Sequence, residues 1–151
     1  MELSDEELIS TQKEFSGDLR FELKHTNKAF KIISFRPEDA LGSTFPGCTI
    51  EILLRAPQEI DDCKYTFTIF RVRERTKHRI YQLEIVPKDK RSHNGPPKVY
   101  GPHEHRPDGV FQVEKKIDWD DYAGWLLEFC DRVNLTVLSE FPAPFGCKDE
   151  M

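Results

Sequence analysis

Three stretches of this chain, "CTIEILLRA", "CKYTFTIFRVRE" and "RIYQLEIV", follow one another with only "PQEIDD" and "RTKH" between the successive pairs. Connections this short join neighbouring antiparallel strands, because a parallel pair needs a crossover of a dozen or more residues. An antiparallel meander is therefore the constraint from which the rest of the chain is read. In the middle stretch Tyr65, Phe67 and Ile69 share a side with Arg71 and Arg73, since successive side chains of a strand point to opposite faces. That face turns from apolar to basic toward the hairpin tip, and the arginines are expected to emerge beyond the edge of the core.

Upstream, "LRFELKH" alternates with Leu19, Phe21 and Leu23 on one side, and "AFKIISF" follows as a second strand. Ser4 and Glu7 have the spacing of a capping box, with Leu3 and Leu8 placed as a hydrophobic staple. The pattern predicts a helix from about Asp5 to Ser16, ended by Gly17 in a left-handed conformation. "RPEDALGSTFPG" reads as a connecting loop. Downstream, Pro87 to Gly109 is rich in Pro, Gly, Lys, Asp and His, and a loop of that length in a small domain implies function or disorder. "VFQVEKKI" predicts a last strand, and Asp118 an N-cap for a second helix with Asp120 and Asp121 in its first turn. Tyr122, Trp125, Leu126, Phe129 and Val133 recur at helical spacing and predict a stripe packed on the sheet. The expected architecture is α+β: a sheet of about five antiparallel strands, with an N-terminal helix and a C-terminal helix packed on it. A single domain over residues 1–151 is expected, with a loosely held tail from about 139.

No apolar run approaches the roughly 18 residues of a membrane span. The start "MELSDEELIS" lacks the basic and apolar segments of a signal peptide, so a cytoplasmic location is expected. Cys48, Cys63, Cys130 and Cys147 form no Cys-x-x-Cys pair, which points to reduced thiols rather than a zinc ribbon. The net charge of −5 argues against a surface that attracts nucleic acid everywhere. Basic residues nevertheless crowd the middle, while "SDEE", "DWDD" and "KDEM" are acidic, so a local anionic partner such as RNA stays open.

The stretch "YGPHEHRPDG" carries the chemistry of most interest. On an extended segment His103 and His105 point to one side and reach one common point. Three readings are compatible with that spacing. In the first, the imidazoles hold a divalent metal, with a third ligand from His93, Glu114 or Asp108. In the second, which needs no cofactor, His103 and His105 act as acid and base on a phosphodiester with His93 as helper. Arg71, Arg73, Arg79 and Arg91 would then bind phosphate. In the third, the histidines are structural and Glu104 pairs with Arg106. The signatures G-x-S-x-G, G-x-x-x-x-G-K-[ST] and H-E-x-x-H do not occur.

The succession "LSDEE", "YQLEI", "HNGPP", "GPHEH" and "DYAGWLLEFCDRVNL" resembles a family of small uncharacterised prokaryotic proteins of mobile elements and phage-like regions. Pro102, His103 and His105 carry the specific part of that resemblance, and "HNGPP" and "RPDG" depart from the family's loop pattern. The Pro-His-x-His segment is also similar to that of TumE-type toxins of toxin–antitoxin pairs. The resemblance implies a small bacterial or phage-type protein that cleaves RNA or another phosphodiester under the control of a protein partner. The alternative is a binding module, an antitoxin or an inhibitor in phage–host conflict, whose acidic ends mask a basic partner.

Overall fold

A computed structural model of the chain describes residues 2–24, 27–55, 64–86, 91–93, 99–115, 117–118 and 121–139. The chain opens with helix α1 (Asp5–Ser10) and strands β1 (Lys13–Phe15), β2 (Glu22–Lys24) and β3 (Asn27–Phe35). The expected meander follows as β4 (Cys48–Arg55), β5 (Lys64–Arg73) and β6 (Thr76–Ile85). Then come β7 (Arg91–His93), β8 (Val99–Tyr100), β9 (His103–Arg106) and β10 (Gly109–Gln112), and the order closes with helix α2 (Tyr122–Arg132) and β11 (Leu135–Val137).

The main sheet is antiparallel and has seven strands in the order β10-β9-β6-β5-β4-β3-β2. It is α+β as expected, but wider than five strands. The difference arises at the stretch read as one long loop, where "HEHR" pairs with β6 and extends the sheet beyond the meander. Small pairs β7-β8 and β1-β11, the latter parallel, stand apart from the main sheet. The β5-β6 hairpin is tighter than "RTKH" suggested: Glu74 and Arg75 both adopt positive φ, at 50° and 65°. These are the dihedrals of a two-residue turn whose twist matches the strands, and the absence of the usual Asn-Gly hid it.

One face of the sheet carries the core. Ile50, Ile52 and Leu54 of β4, Tyr65, Phe67 and Ile69 of β5, and Tyr81, Leu83 and Ile85 of β6 are buried there. The α2 stripe of Tyr122, Trp125, Leu126 and Phe129 is buried with them, as its helical spacing predicted. Phe67 and Phe129 stack at 5.4 Å between ring centroids. The Trp125 indole N–H donates to the Asp118 carbonyl at 2.8 Å, so the polar end of this large side chain is satisfied within the core. The N-cap of α2 is Asp121, whose carboxylate accepts from the Gly124 N–H, and not Asp118. Asp120 lies outside the described residues, as does the tail from residue 140.

The capping box of Ser4 and Glu7 forms as read, with Leu8 buried, but α1 stops at Ser10 rather than Ser16. Two long-range interactions take over the segment. The backbone of β1 pairs with β11, and the Lys13 ammonium, fully buried, donates to the carbonyls of Ile9, Thr11 and Val133 at 2.7, 2.8 and 2.7 Å. Burial pulls the Lys13 amine down to about 8. Gly17 does not take a left-handed conformation; it lies close under the Phe15 ring, where an added Cβ would come within 2.6 Å of a ring carbon. No helix among the described residues is long and apolar enough to cross a membrane.

Candidate metal centre

The register between β6 and β9 builds the site. Glu84 lies opposite His103, Leu83 opposite Glu104, and Gln82 opposite His105. Directly opposed residues of an antiparallel pair project to the same face, with Cβ atoms about 5 Å apart. Glu84, His103 and His105 therefore meet on one face, while Leu83 and Glu104 turn to the core. All three are buried, with His103 at 0%, Glu84 at 7% and His105 at 9% exposure. The two rings share a side as their spacing predicted, but they sit inside the sheet and not on an exposed loop.

The ligand atoms converge. His103 Nε2 lies 3.0 Å from His105 Nε2 and 3.4 Å from Glu84 Oε1. One donor atom from each of the three residues falls within 4.8 Å of the others. The opposite nitrogen of His103, Nδ1, is 3.2 Å from the Gly101 carbonyl, which only accepts; a hydrogen on Nδ1 suits that contact and is the tautomer in which Nε2 can give its lone pair to an ion. Gly101 sits at φ 72°, a left-handed conformation open to glycine at little steric cost, and so brings its carbonyl under the ring. A backbone acceptor on the far nitrogen is the usual support of a metal-ligating histidine. Two nitrogens 3.0 Å apart, each about 2.1 Å from one ion, subtend about 90° there. For Glu84 and His103, at 3.4 Å, the same bond length gives about 110°. Two imidazoles and one carboxylate are a donor set suited to zinc, iron or manganese.

The arginines expected beside the histidines divide into separate groups. Arg71 is buried and pairs with Asp5 at 3.1 Å and Glu2 at 3.2 Å, so it does not emerge beyond the core. Arg73 also pairs with Asp5. Both are held by the N-terminal segment, where Cys48 opposite Arg71 marks the core face, and they do not line the histidine cluster. Part of the acidic N-terminus is thereby engaged within the chain. Arg79 does reach the site's surroundings: it lines a recess with His105 and Arg106. Arg91 and His93 belong to β7, and their side chains lie outside the described residues. Glu114 and Asp108, the carboxylates considered from sequence as a third ligand, are exposed and stand outside the cluster.

The residue that sequence reasoning missed is Glu84. In β6 Glu84 alternates with Leu83 and Ile85 just as Gln82 does, which gives no local signal of a ligand, and only the pairing with β9 shows what it faces. Glu104, between the two histidines, has a structural part. It accepts from the Tyr81 hydroxyl at 2.7 Å and from Arg132 Nη1 at 2.9 Å, and pairs with Arg106 at 3.3 Å as expected. Burial and the Glu104 carboxylate together push the Tyr81 hydroxyl far above its ordinary range.

Comparison with protein-family models, curated proteins and solved structures found no match.

Proposed function

We propose that the chain is a divalent-metal-dependent hydrolase of phosphodiesters, RNA included, with the ion held by Glu84, His103 and His105. The observation that carries this reading is the convergence of three buried donor atoms on one point, with His103 Nε2 turned inward by the Gly101 carbonyl. It favours a metal over the cofactor-free acid–base pair. An acid and a base must flank the reacting phosphate, whereas these two ring nitrogens face each other at 3.0 Å and leave no room for substrate between them. A bound ion lowers the pKa of its water toward neutrality. Held by Glu84, His103 and His105, such an ion would supply an activated water for hydrolysis of the phosphodiester.

The test incubates pure protein with mixed RNA and with a phosphodiester such as bis(p-nitrophenyl) phosphate, with and without chelator. Chelation is expected to abolish cleavage and zinc or manganese to restore it, while His103→Ala and His105→Ala lower it by at least about a hundredfold. Cleavage that survives chelation but not the alanine substitutions would return the acid–base pair to first place. Absence of both metal binding and cleavage would reject the reading and favour a binding module, such as an antitoxin or inhibitor.

A further inference from the structure

The strand that carries both histidines joins the meander over a short register. Strand β9 meets β6 at Gln82–His105, Leu83–Glu104 and Glu84–His103, whereas β5 and β6 pair from Tyr65–Ile85 to Arg73–Thr76. β10 pairs in turn with β9 and forms the edge of the sheet. The β6-β9 register stops beside a bulge. In the β5-β6 ladder Ile69 faces Tyr81, but the next residue, Phe70, faces Arg79, so Ile80 is an extra residue without a partner in the register. A bulged strand bends locally. Between Ile80 and the β9-β10 turn lies a recess of about 190 Å³, lined also by Pro107, Gly109 and Val110. Beyond Gln82, therefore, the β9-β10 hairpin is not packed closely on β6.

The two faces of this short register tie β9 to the molecule in different ways. On the core face Glu104 bonds Tyr81 of β6 and Arg132 of α2. These charges can part without being stranded, because Glu104 keeps Arg106 of its own strand at 3.3 Å and Arg132 keeps Glu128 of its own helix at 2.7 Å. On the other face His103 and His105 both belong to β9, and Glu84 is the one member of the cluster from β6. An ion held by all three thus links two strands whose connection along the chain runs through residues 85–102. Lifting β9 from β6 separates Glu84 from the histidines and breaks the site. A ligand bound by the closed form alone disfavours such an opening by its own binding free energy. Edge elements with little buried contact are the ones that open locally at low cost.

We propose that the ion is also a clip for the edge of the sheet: in the metal-free protein the β9-β10 hairpin opens locally while the meander stays folded, and metal binding closes it. Regulation of this kind rests on the metal-centred reading above, since the availability of the ion then sets the fraction of molecules with an assembled site.

Amide hydrogen exchange of the full chain is followed by NMR for the wild type and Glu84→Gln, in chelator and with zinc at about a hundred times the wild-type Kd. Calorimetry measures zinc binding itself, and thermal melts confirm that both proteins are folded. In chelator the hydrogen-bonded amides of β9 and β10 should exchange at least about tenfold faster than those of β5. Zinc should slow them by about a hundredfold in the wild type. Amides of β2, at the opposite edge of the sheet, should change by less than about twofold. In Glu84→Gln zinc held by the histidines alone does not join β9 to β6, so exchange there should stay fast. Zinc binding to the wild type without slower exchange in β9 and β10, or metal-free exchange there as slow as in β5, would overturn the clip and leave the metal centre standing. No zinc uptake by the wild type would reject the metal centre and the clip with it.

Discussion

Strands β6 and β9 bury two carboxylates, one on each face, and surround them differently. On the core face Glu104 meets a tyrosine hydroxyl and two guanidinium groups, and Arg132 goes on to bond Glu128 at 2.7 Å. On the other face Glu84 meets the imidazoles of His103 and His105. Arginine keeps its charge at any working pH, so the Glu104 network is permanently satisfied and joins the sheet to α2. Imidazole nitrogens can instead give their lone pairs to a metal, and Glu84 adds a negative charge beside them. The guanidinium-balanced charge of Glu104 serves stability, whereas the donor atoms gathered on the other face are those of the metal centre proposed above.

The comparison predicts that stability resides on the core face and ligand response on the histidine face. The largest expected stability effect is Trp125→Ala, which should cost roughly 3 to 5 kcal/mol as a large truncation beneath α2. Near-native stability in a urea titration would show that the helix does not anchor this face. Glu104→Leu should cost about 2 to 3 kcal/mol, because it leaves the buried Tyr81 hydroxyl without its acceptor and Arg132 with Glu128 alone. Glu84→Gln should change the metal-free protein by less than about 1 kcal/mol, since an amide fills the same volume and still forms hydrogen bonds. The wild type should gain about 2.7 kcal/mol when zinc or manganese is present at a hundred times its Kd. Glu84→Gln should gain almost nothing at the same concentration. Equal thermal shifts in the two proteins would remove Glu84 from the metal centre.

The smallest expected effect sharpens the account of the core face at high pH. Burial pushes the Cys48 and Cys130 thiols up to about 11 from 9.0, so between these values the unfolded chain holds fewer thiol protons and stability falls as pH rises. Lys13 has the opposite sign. Burial pulls its amine from 10.5 to about 8, so within that window the unfolded chain holds more protons and the Lys13 contribution rises with pH. Urea midpoints measured from pH 9 to 11 should therefore fall less steeply in Cys130→Ala than in the wild type, and more steeply in Lys13→Met. A slope unchanged by either substitution would place the alkaline sensitivity elsewhere.

The alternation of the meander, the capping box of α1 and the stripe of α2 were all legible in the sequence, because each depends on a local period or a fixed short spacing. So was the common side of His103 and His105, since residues two apart on an extended segment point the same way whatever lies beside them. The length of α1 was not legible: residues 13–15 were claimed by a strand partner more than a hundred positions away. Nor was the third member of the proposed metal centre. Glu84 is opposite His103 only because β9 pairs with β6 in this register, and a shift of one residue would have set Leu83 there instead. Arg79 needed the bulge at Ile80 to leave the core side. The sequence by itself thus determined which residues alternate, cap and share a side. Strand register, which depends on backbone pairing between distant segments, decided which of them meet.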